Sequence, residues 1–292
     1  MTAPVDLHIH SRHSDGTFSP TELVKMASAQ GFKAIALADH DSISGIDEAI
    51  AAGEEFGVEL IPAVELSIEI KNYHDVHLLA FFLDHKDKSF NERLNSFRER
   101  RDRRGEEIIA RINDKLANNG KGSISFSEVV AGSDGALGRP HIARVLISRG
   151  YVTDMNQAFD EYLIPCDVPK EYFPAEEAIK EIHRIGGLAV LAHPTTISKD
   201  RSKLREVIGM MVAFGLDGLE AYNTLATIDD SEFLFAIARR HKLIVTGGSD
   251  FHGNEGEGLL GIRDNRFPLD YRLVESLKDR VAEKKSNQPQ AV

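Results

Sequence analysis

One cysteine among 292 residues leaves Cys166 without an internal partner, so no disulfide framework holds this chain and a reducing compartment suits it. No apolar run is long enough to span a bilayer, and no charged-then-apolar leader opens the chain, so the expected location is the cytoplasm with no membrane partner. Positive charge is the scarcer sign: 35 Lys+Arg stand against 46 Asp+Glu, a formal net charge of −11. That balance argues against a broad basic face for a DNA duplex and leaves room for a local positive or metal-lined site. There is no internal repeat. The 42% hydrophobic and 28% charged content is ordinary for a soluble globular protein and excludes wholesale disorder. A chain of this length fits one large domain, or a core domain carrying an insertion. What the sequence has in excess is histidine, with 12 residues.

The outer parts of the chain alternate strand and helix patterns. Val5–His10 alternates apolar and polar residues, the period of a strand. Ser19 is placed to cap a helix opening at Pro20, and Gly31 ends it. Strand patterns at 33–39, 59–66, 76–83, 188–192, 218–222 and 243–247 alternate with helix patterns at 45–56, 176–185, 201–214 and 229–241. Such alternation predicts parallel strands covered by helices, and seven strands favour a closed α/β barrel over an open sheet. Residues 90–172 break the rhythm with helical patterns. The boundaries that follow are a barrel from 1–89 and 173–280, a helical insertion from 90–172, and a disordered tail from 281–292. Within the insertion, Arg93, Arg98, Arg100, Arg101, Arg103, Arg104 and Arg111 interleave with acids at the spacing of a solvated helix, a mild attraction for RNA at most.

In α/β barrels chemistry sits at the C-terminal strand ends. Read in order, those ends carry His8 and His10, His40 and Asp41, Glu65, His77, His193, and Asp250 and His252, with Asp15 in the turn after the first strand. Each has an ordinary alternative: a capped turn, a hydrogen-bonded histidine, a strand terminator. Their joint occurrence at nearly every strand end points to metal. Imidazoles with carboxylates suit manganese, iron or zinc. So many ligands exceed one tetrahedral site and imply two or three divalent ions with a bridging carboxylate. His8 and His10 lie two apart on one strand, and Asp250 and His252 repeat that spacing on the last. Barrel closure would bring the two pairs together.

These residues resemble a known family. His8-Ile9-His10-Ser11 with Ser14-Asp15-Gly16, Ala38-Asp39-His40-Asp41, Glu65, Val76-His77-Leu78-Leu79, Ala192-His193-Pro194 and Ser249-Asp250-Phe251-His252 are similar, in order, to the motifs of the polymerase and histidinol phosphatase (PHP) family. The resemblance implies a distorted (β/α)7 barrel, a trinuclear metal centre and phosphoester hydrolysis. It implies a first ion on His8, His10, Glu65 and Asp250, a second on Asp15, His40 and His252, and a third on Glu65, His77 and His193, with manganese the expected metal. Gly138-Arg139-Pro140-His141, followed by Gly150-Tyr151-Val152 and Ala158-Phe159, resembles the insertion of the small stand-alone phosphoesterases of that family. Their characterised members act on nucleoside 3′,5′-bisphosphates, and some trim RNA 5′→3′.

By that resemblance Arg139 and His141 bind the non-scissile phosphate, a guanidinium fork assisted by an imidazolium. Arg144 lies on the same helical face as His141 or pairs with Glu161. Cys166–Lys170 departs from many relatives, which carry a glycine there. The implied reaction is direct attack on phosphorus by a metal-bridging hydroxide held by Asp15, Glu65, His193, Asp250 and His252. Asp41, His13 and Ser249 are candidates to orient ligands. The expected partner is a small phosphorylated nucleotide or a short RNA end, and the expected assembly a monomer or small homo-oligomer. The alternatives are a histidinol-phosphate phosphatase or broad phosphodiesterase of the same family, and a non-catalytic PHP support module.

Overall fold

A computed structural model describes residues 4–131, 138–254, 260–261 and 269–287. β1 (Val5–Ile9) leads to α1 (Pro20–Ala29), where the Ser19 hydroxyl accepts from the Glu22 N–H and Glu22 reaches back to the Ser19 N–H. There follow β2 (Ala34–Leu37), α2 (Ile46–Phe56), β3 (Glu59–Ile70) and β4 (Tyr73–Phe81). The insertion holds α3 (Lys88–Asn118), α4 (Phe126–Val130), α5 (Arg139–Ser148) and α6 (Met155–Ala158), the last running into a π-helical turn. A two-residue strand, β5 (Phe173–Pro174), returns the chain to α7 (Ala175–Arg184), β6 (Leu188–Leu191), α8 (Arg201–Phe214), β7 (Gly218–Tyr222), α9 (Ile228–His241), β8 (Ile244–Gly247) and α10 (Arg272–Asn287).

The sheet runs β1-β2-β3-β4-β6-β7-β8, with β5 paired only to β3. Past β8, Phe251 bridges Ile9 in parallel, and the Asp250 N–H donates to the His8 carbonyl at 2.9 Å. The seven strands on this path form a nearly closed barrel with helices outside, the (β/α)7 class expected. The strands are not all parallel, however: β4 runs against both β3 and β6. Only Lys71 and Asn72 separate β3 from β4, and so short a connection joins antiparallel strands alone. The residue that makes the reversal is Lys71, at φ +52°.

Leu7, Ile61, Leu79, Phe81 and Val190, from four strands, form one apolar cluster that Val274 and Leu277 of α10 also join. α10 therefore continues through residues 281–287, where a disordered tail is expected; 288–292 lie outside the described residues. A second cluster, on the outer face of the sheet, takes Phe90 and Leu94 from the start of α3. Ile108, Ile112 and Leu116 from its far end belong to the insertion's own cluster, with Ile142, Leu146 and Tyr162. A boundary at residue 90 thus falls inside one continuous helix that is rooted on the barrel. Among the described residues no helix is long and apolar enough to cross a membrane.

Candidate metal centre

At the end of β1 the pairing with β2 loses register between Asp6 and Ile9, and irregularities of this kind re-aim side chains near sites. His8 and His10 both lie fully buried there, with ring centroids 5.1 Å apart. Gly248, just after β8, permits the approach of the two barrel edges, since a Cβ on it would lie 2.4 Å from the His8 Cβ. Glu65 sits midway along β3 rather than at its end. Because β4 is reversed, its N-terminal half reaches the same mouth and brings His77 to 3.0 Å from Glu65 Oε1. His193, Asp250 and Asp41 hold positive φ (+25°, +56° and +48°), backbone strain of the kind that collects at functional sites.

Three overlapping donor groups result: His10, Asp15, His40 and His252; His8, His10, Glu65 and Asp250; and His40, Glu65 and His77. Glu65 is common to the last two. His8 Nε2, His10 Nε2 and His40 Nδ1 lie 3.2, 3.3 and 3.0 Å from Glu65 Oε2. His193 Nε2 approaches Glu65 Oε1 at 2.9 Å and His77 Nδ1 at 3.3 Å. His252 Nε2 is 3.2 Å from Asp15 Oδ1. All nine residues expected as metal ligands therefore converge. They differ from the expected sets in that His10 adjoins two groups and that His40 joins the Glu65–His77 group, with His193 beside that group rather than within it.

The donor set fits divalent cations. His8 Nε2, Asp15 Oδ1, His40 Nδ1 and Glu65 Oε2 are buried and have no hydrogen-bond partner, although unpaired buried polar atoms are costly. Burial pushes the carboxyls of Asp15, Glu65 and Asp250 up, yet the facing imidazoles win and hold all three below the usual carboxylate range. Burial pulls the His252 ring down, but Asp15 and Asp250 raise it to about 10. These carboxylates require positive charge at the imidazole nitrogens, which protons or metal ions can supply.

Around the centre, buried acids fix the ligands. Glu220 of β7 accepts from His8 Nδ1 at 2.9 Å and from the His193 N–H at 2.8 Å, so the Nε2 of His8 faces inward. Asp39 accepts from the Ser11 N–H and from the Ser11 and Ser14 hydroxyls at 2.7, 2.7 and 2.6 Å, shaping the turn that presents Asp15. Asp6 accepts from Ser249 N–H and Oγ at 2.9 and 2.6 Å, beside Asp250. Asp6 and Glu220 were not singled out from sequence, although each is the lone acid of its strand. Ser249, expected to orient a ligand, bonds Asp6 rather than a ligand side chain. Asp41 instead accepts from the Ser67 N–H at 2.9 Å and pairs with Arg101, tying α3 to the barrel mouth. His13 faces Ser44 at 3.0 Å, outside the cluster.

From the insertion, Arg139, Arg104, Lys170 and Phe159 line a cleft with Asp15, His40 and His77. Arg139 reaches Asp167 at 3.4 Å, and its guanidinium carbon sits 5.6 Å from the Phe159 ring centroid. His141 is buried, and its Nδ1 accepts from the Gly138 N–H at 3.0 Å. That bond puts the ring proton on Nε2, which has no partner. Burial lowers the pKa of His141, so it is a neutral donor rather than the imidazolium expected. Arg144 neither joins it nor pairs with Glu161: it donates to the Asp15 carbonyl and to Asn254 Oδ1, both at 2.7 Å. Arg101 and Arg104 turn into the cleft, where a wholly solvated arginine face was expected.

Fold and site together define the class: an α/β barrel with three overlapping groups of metal-type donors at its mouth. The PHP domain model matches residues 6–211, and the chain belongs to the PHP family. It is 38% identical over 255 residues to a 5′-3′ exoribonuclease of Haemophilus influenzae, covering 86% of this chain and 91% of that one. It is 33% identical to a 3′,5′-nucleoside bisphosphate phosphatase of Chromobacterium violaceum, over 96% and 98% of the two chains. A solved Bifidobacterium adolescentis protein assigned to the metal-dependent phosphoesterases superposes with a TM-score of 0.82 at 30% identity, covering 95% of this chain and 96% of that one.

Proposed function

We propose that this chain is a metal-dependent phosphoesterase that hydrolyses the P–O3′ bond of nucleotides carrying a 5′-phosphate. Its substrates are nucleoside 3′,5′-bisphosphates and, through the same bond, short RNA 5′ ends. In the first case the products are a nucleoside 5′-phosphate and inorganic phosphate. In the second, the first nucleotide leaves and the rest of the chain keeps the phosphate. A water oxygen bonds to phosphorus, and O3′ departs with a proton. One bond thus accounts for both relatives, the bisphosphate phosphatase and the 5′-3′ exoribonuclease.

The observation that carries the reading is the set of buried donor atoms without partners, facing one another beside a cationic cleft. His8, His10, Glu65 and Asp250 would hold one ion, Asp15, His40 and His252 a second, and Glu65, His77 and His193 a third. Divalent ions there, manganese first, with iron or zinc as the alternatives, would supply a water of lowered pKa and countercharge for the phosphoryl oxygens. Glu220 and Asp39 keep the ligands in register. Arg139 offers a fork to the 5′-phosphate and His141 its Nε2–H, so the insertion selects substrates bearing a second phosphate. The single cysteine fits work in a reducing cytoplasm.

A panel of adenosine 3′,5′-bisphosphate, 5′-phosphorylated short RNA, histidinol phosphate and a nitrophenyl phosphate, assayed with and without chelator, tests the proposal. The bisphosphate should give the highest metal-dependent kcat/KM. Preference for histidinol phosphate would overturn the substrate assignment, and no metal-dependent turnover of any substrate would overturn the activity.

A further inference from the structure

The donor cluster opens on two sides, and the openings differ in chemistry. Toward the insertion lies the cleft of Arg139, Arg104 and Lys170. On the other side a recess runs from His77, His193 and Asp250 out along Tyr73, Ile197 and Leu225. His40 and His77 line both openings, so the two meet at the centre. Neither lysine nor arginine is among the described residues that line the second recess. Tyr73 and Ile197 are half-buried and backed by the barrel's outer apolar cluster, which anchors them. Leu225, in the loop after β7, is 53% exposed, a large apolar side chain standing in solvent beside a polar centre.

Among the described residues, a second phosphate finds its countercharge only in the first opening. The second offers what a base and ribose use: an aromatic ring, aliphatic walls and no charge beyond the centre itself. We propose that this recess is the subsite for the nucleoside esterified to the far oxygen of the scissile phosphate, so that it sets how well phosphodiesters are turned over relative to bisphosphates, while the arginine cleft serves both. The inference rests on the proposed P–O3′ hydrolysis with the 5′-phosphate at Arg139. In a diester, water oxygen bonds to phosphorus, the P–O3′ bond breaks and O3′ takes a proton. The phosphorus leaves as the 5′-phosphate of the next nucleoside, whose base lies against Tyr73 and Leu225. A bisphosphate has only a free oxygen at that position and leaves the recess to solvent.

The test compares kcat/KM for adenosine 3′,5′-bisphosphate and for 5′-phosphorylated diadenylate, both with Mn²⁺, in the native chain and in Leu225→Ser and Leu225→Phe. Exposure of Leu225 makes both variants compatible with folding, which circular dichroism checks. The dinucleotide-to-bisphosphate ratio of kcat/KM should fall about fivefold or more in Leu225→Ser, on the order of what covering part of one leucine side chain supplies, and should hold or rise in Leu225→Phe, whose ring can stack on the base. A ratio unchanged within about twofold in Leu225→Ser would overturn the subsite. So would native turnover of the bisphosphate with none of the dinucleotide. If the native chain hydrolyses neither, the phosphoesterase reading fails and the subsite with it.

Discussion

Glu220→Gln probes how the centre is held without removing a ligand. The native carboxylate serves two donors at once, His8 Nδ1 at 2.9 Å and the His193 N–H at 2.8 Å, and is almost wholly buried. Glutamine keeps the shape but has one carbonyl oxygen, so one of those donors must face the amide NH₂ and lose its acceptor. A buried donor left unsatisfied costs about 1–3 kcal/mol. For a chain of this size that lowers Tm by roughly 2–12 °C, at about 2–4 °C per kcal/mol. If His8 is the group released, its ring is free to turn and its basicity falls. Loss of such an orienting carboxylate typically weakens metal binding about 10–100-fold. The assay is calorimetric titration of chelator-treated protein with Mn²⁺, beside thermal unfolding of the same samples without metal. Wild-type Mn²⁺ affinity in a variant whose Tm has dropped would refute the orienting role, because it would separate the carboxylate's structural contribution from the ligand it is said to fix.

Gly248→Ala should destabilise the chain by at least about 1–3 kcal/mol, because the added Cβ meets His8 backbone atoms as close as 2.5 Å; wild-type denaturant midpoint and metal affinity would contradict the close approach. Arg139→Ala should raise KM for adenosine 3′,5′-bisphosphate about tenfold or more, and raise it much less for a nitrophenyl phosphate lacking the second phosphate. Equal effects on both would remove Arg139 as the 5′-phosphate contact. At the other end of the barrel, burial pushes Asp217 up, but hydrogen bonds from His183 and Lys284 outweigh it and hold the carboxyl below its usual range. A depressed folded pKa means that its contribution is full above the unfolded value of about 4 and is lost as pH falls through the lower folded value. Asp217→Asn should therefore cost about 1.5–3 kcal/mol at pH 7, with the gap to wild type closing toward pH 3; a gap constant with pH would contradict the ion pairing.

Residue type made the centre legible. Histidines and acids at the ends of apolar strands stand out against their surroundings, and the barrel had to close for both ends of the chain to contribute. The reversal of β4 was hidden because its turn, Lys71-Asn72, carries neither glycine nor proline, and the apolar run of β4 reads the same in either direction. His13 was a candidate to orient ligands because it is a polar residue in the turn between His10 and Asp15, and only the course of that turn sends it toward Ser44. Glu220 went unread because a single acid inside Gly218–Tyr222 has no periodic signal; its meaning is the ring it faces from a distant strand. Residues 281–292 looked like a disordered tail from their polar composition, yet 281–287 continue α10, which Val274 and Leu277, three apart and fully buried, anchor. The arginines of α3 were read as a solvated face because nothing in the sequence shows that Arg101 meets Asp41 across the barrel mouth.

The most direct test is the metal content of the purified chain by elemental analysis, paired with hydrolysis of adenosine 3′,5′-bisphosphate before chelation, after it, and after Mn²⁺ is restored. Two or three equivalents of transition metal, turnover lost on chelation and recovered with Mn²⁺, and both metal and turnover sharply reduced in Glu65→Ala are the expected results. Undiminished hydrolysis by metal-free protein, or full metal content and turnover in Glu65→Ala, would contradict a metal centre built on Glu65.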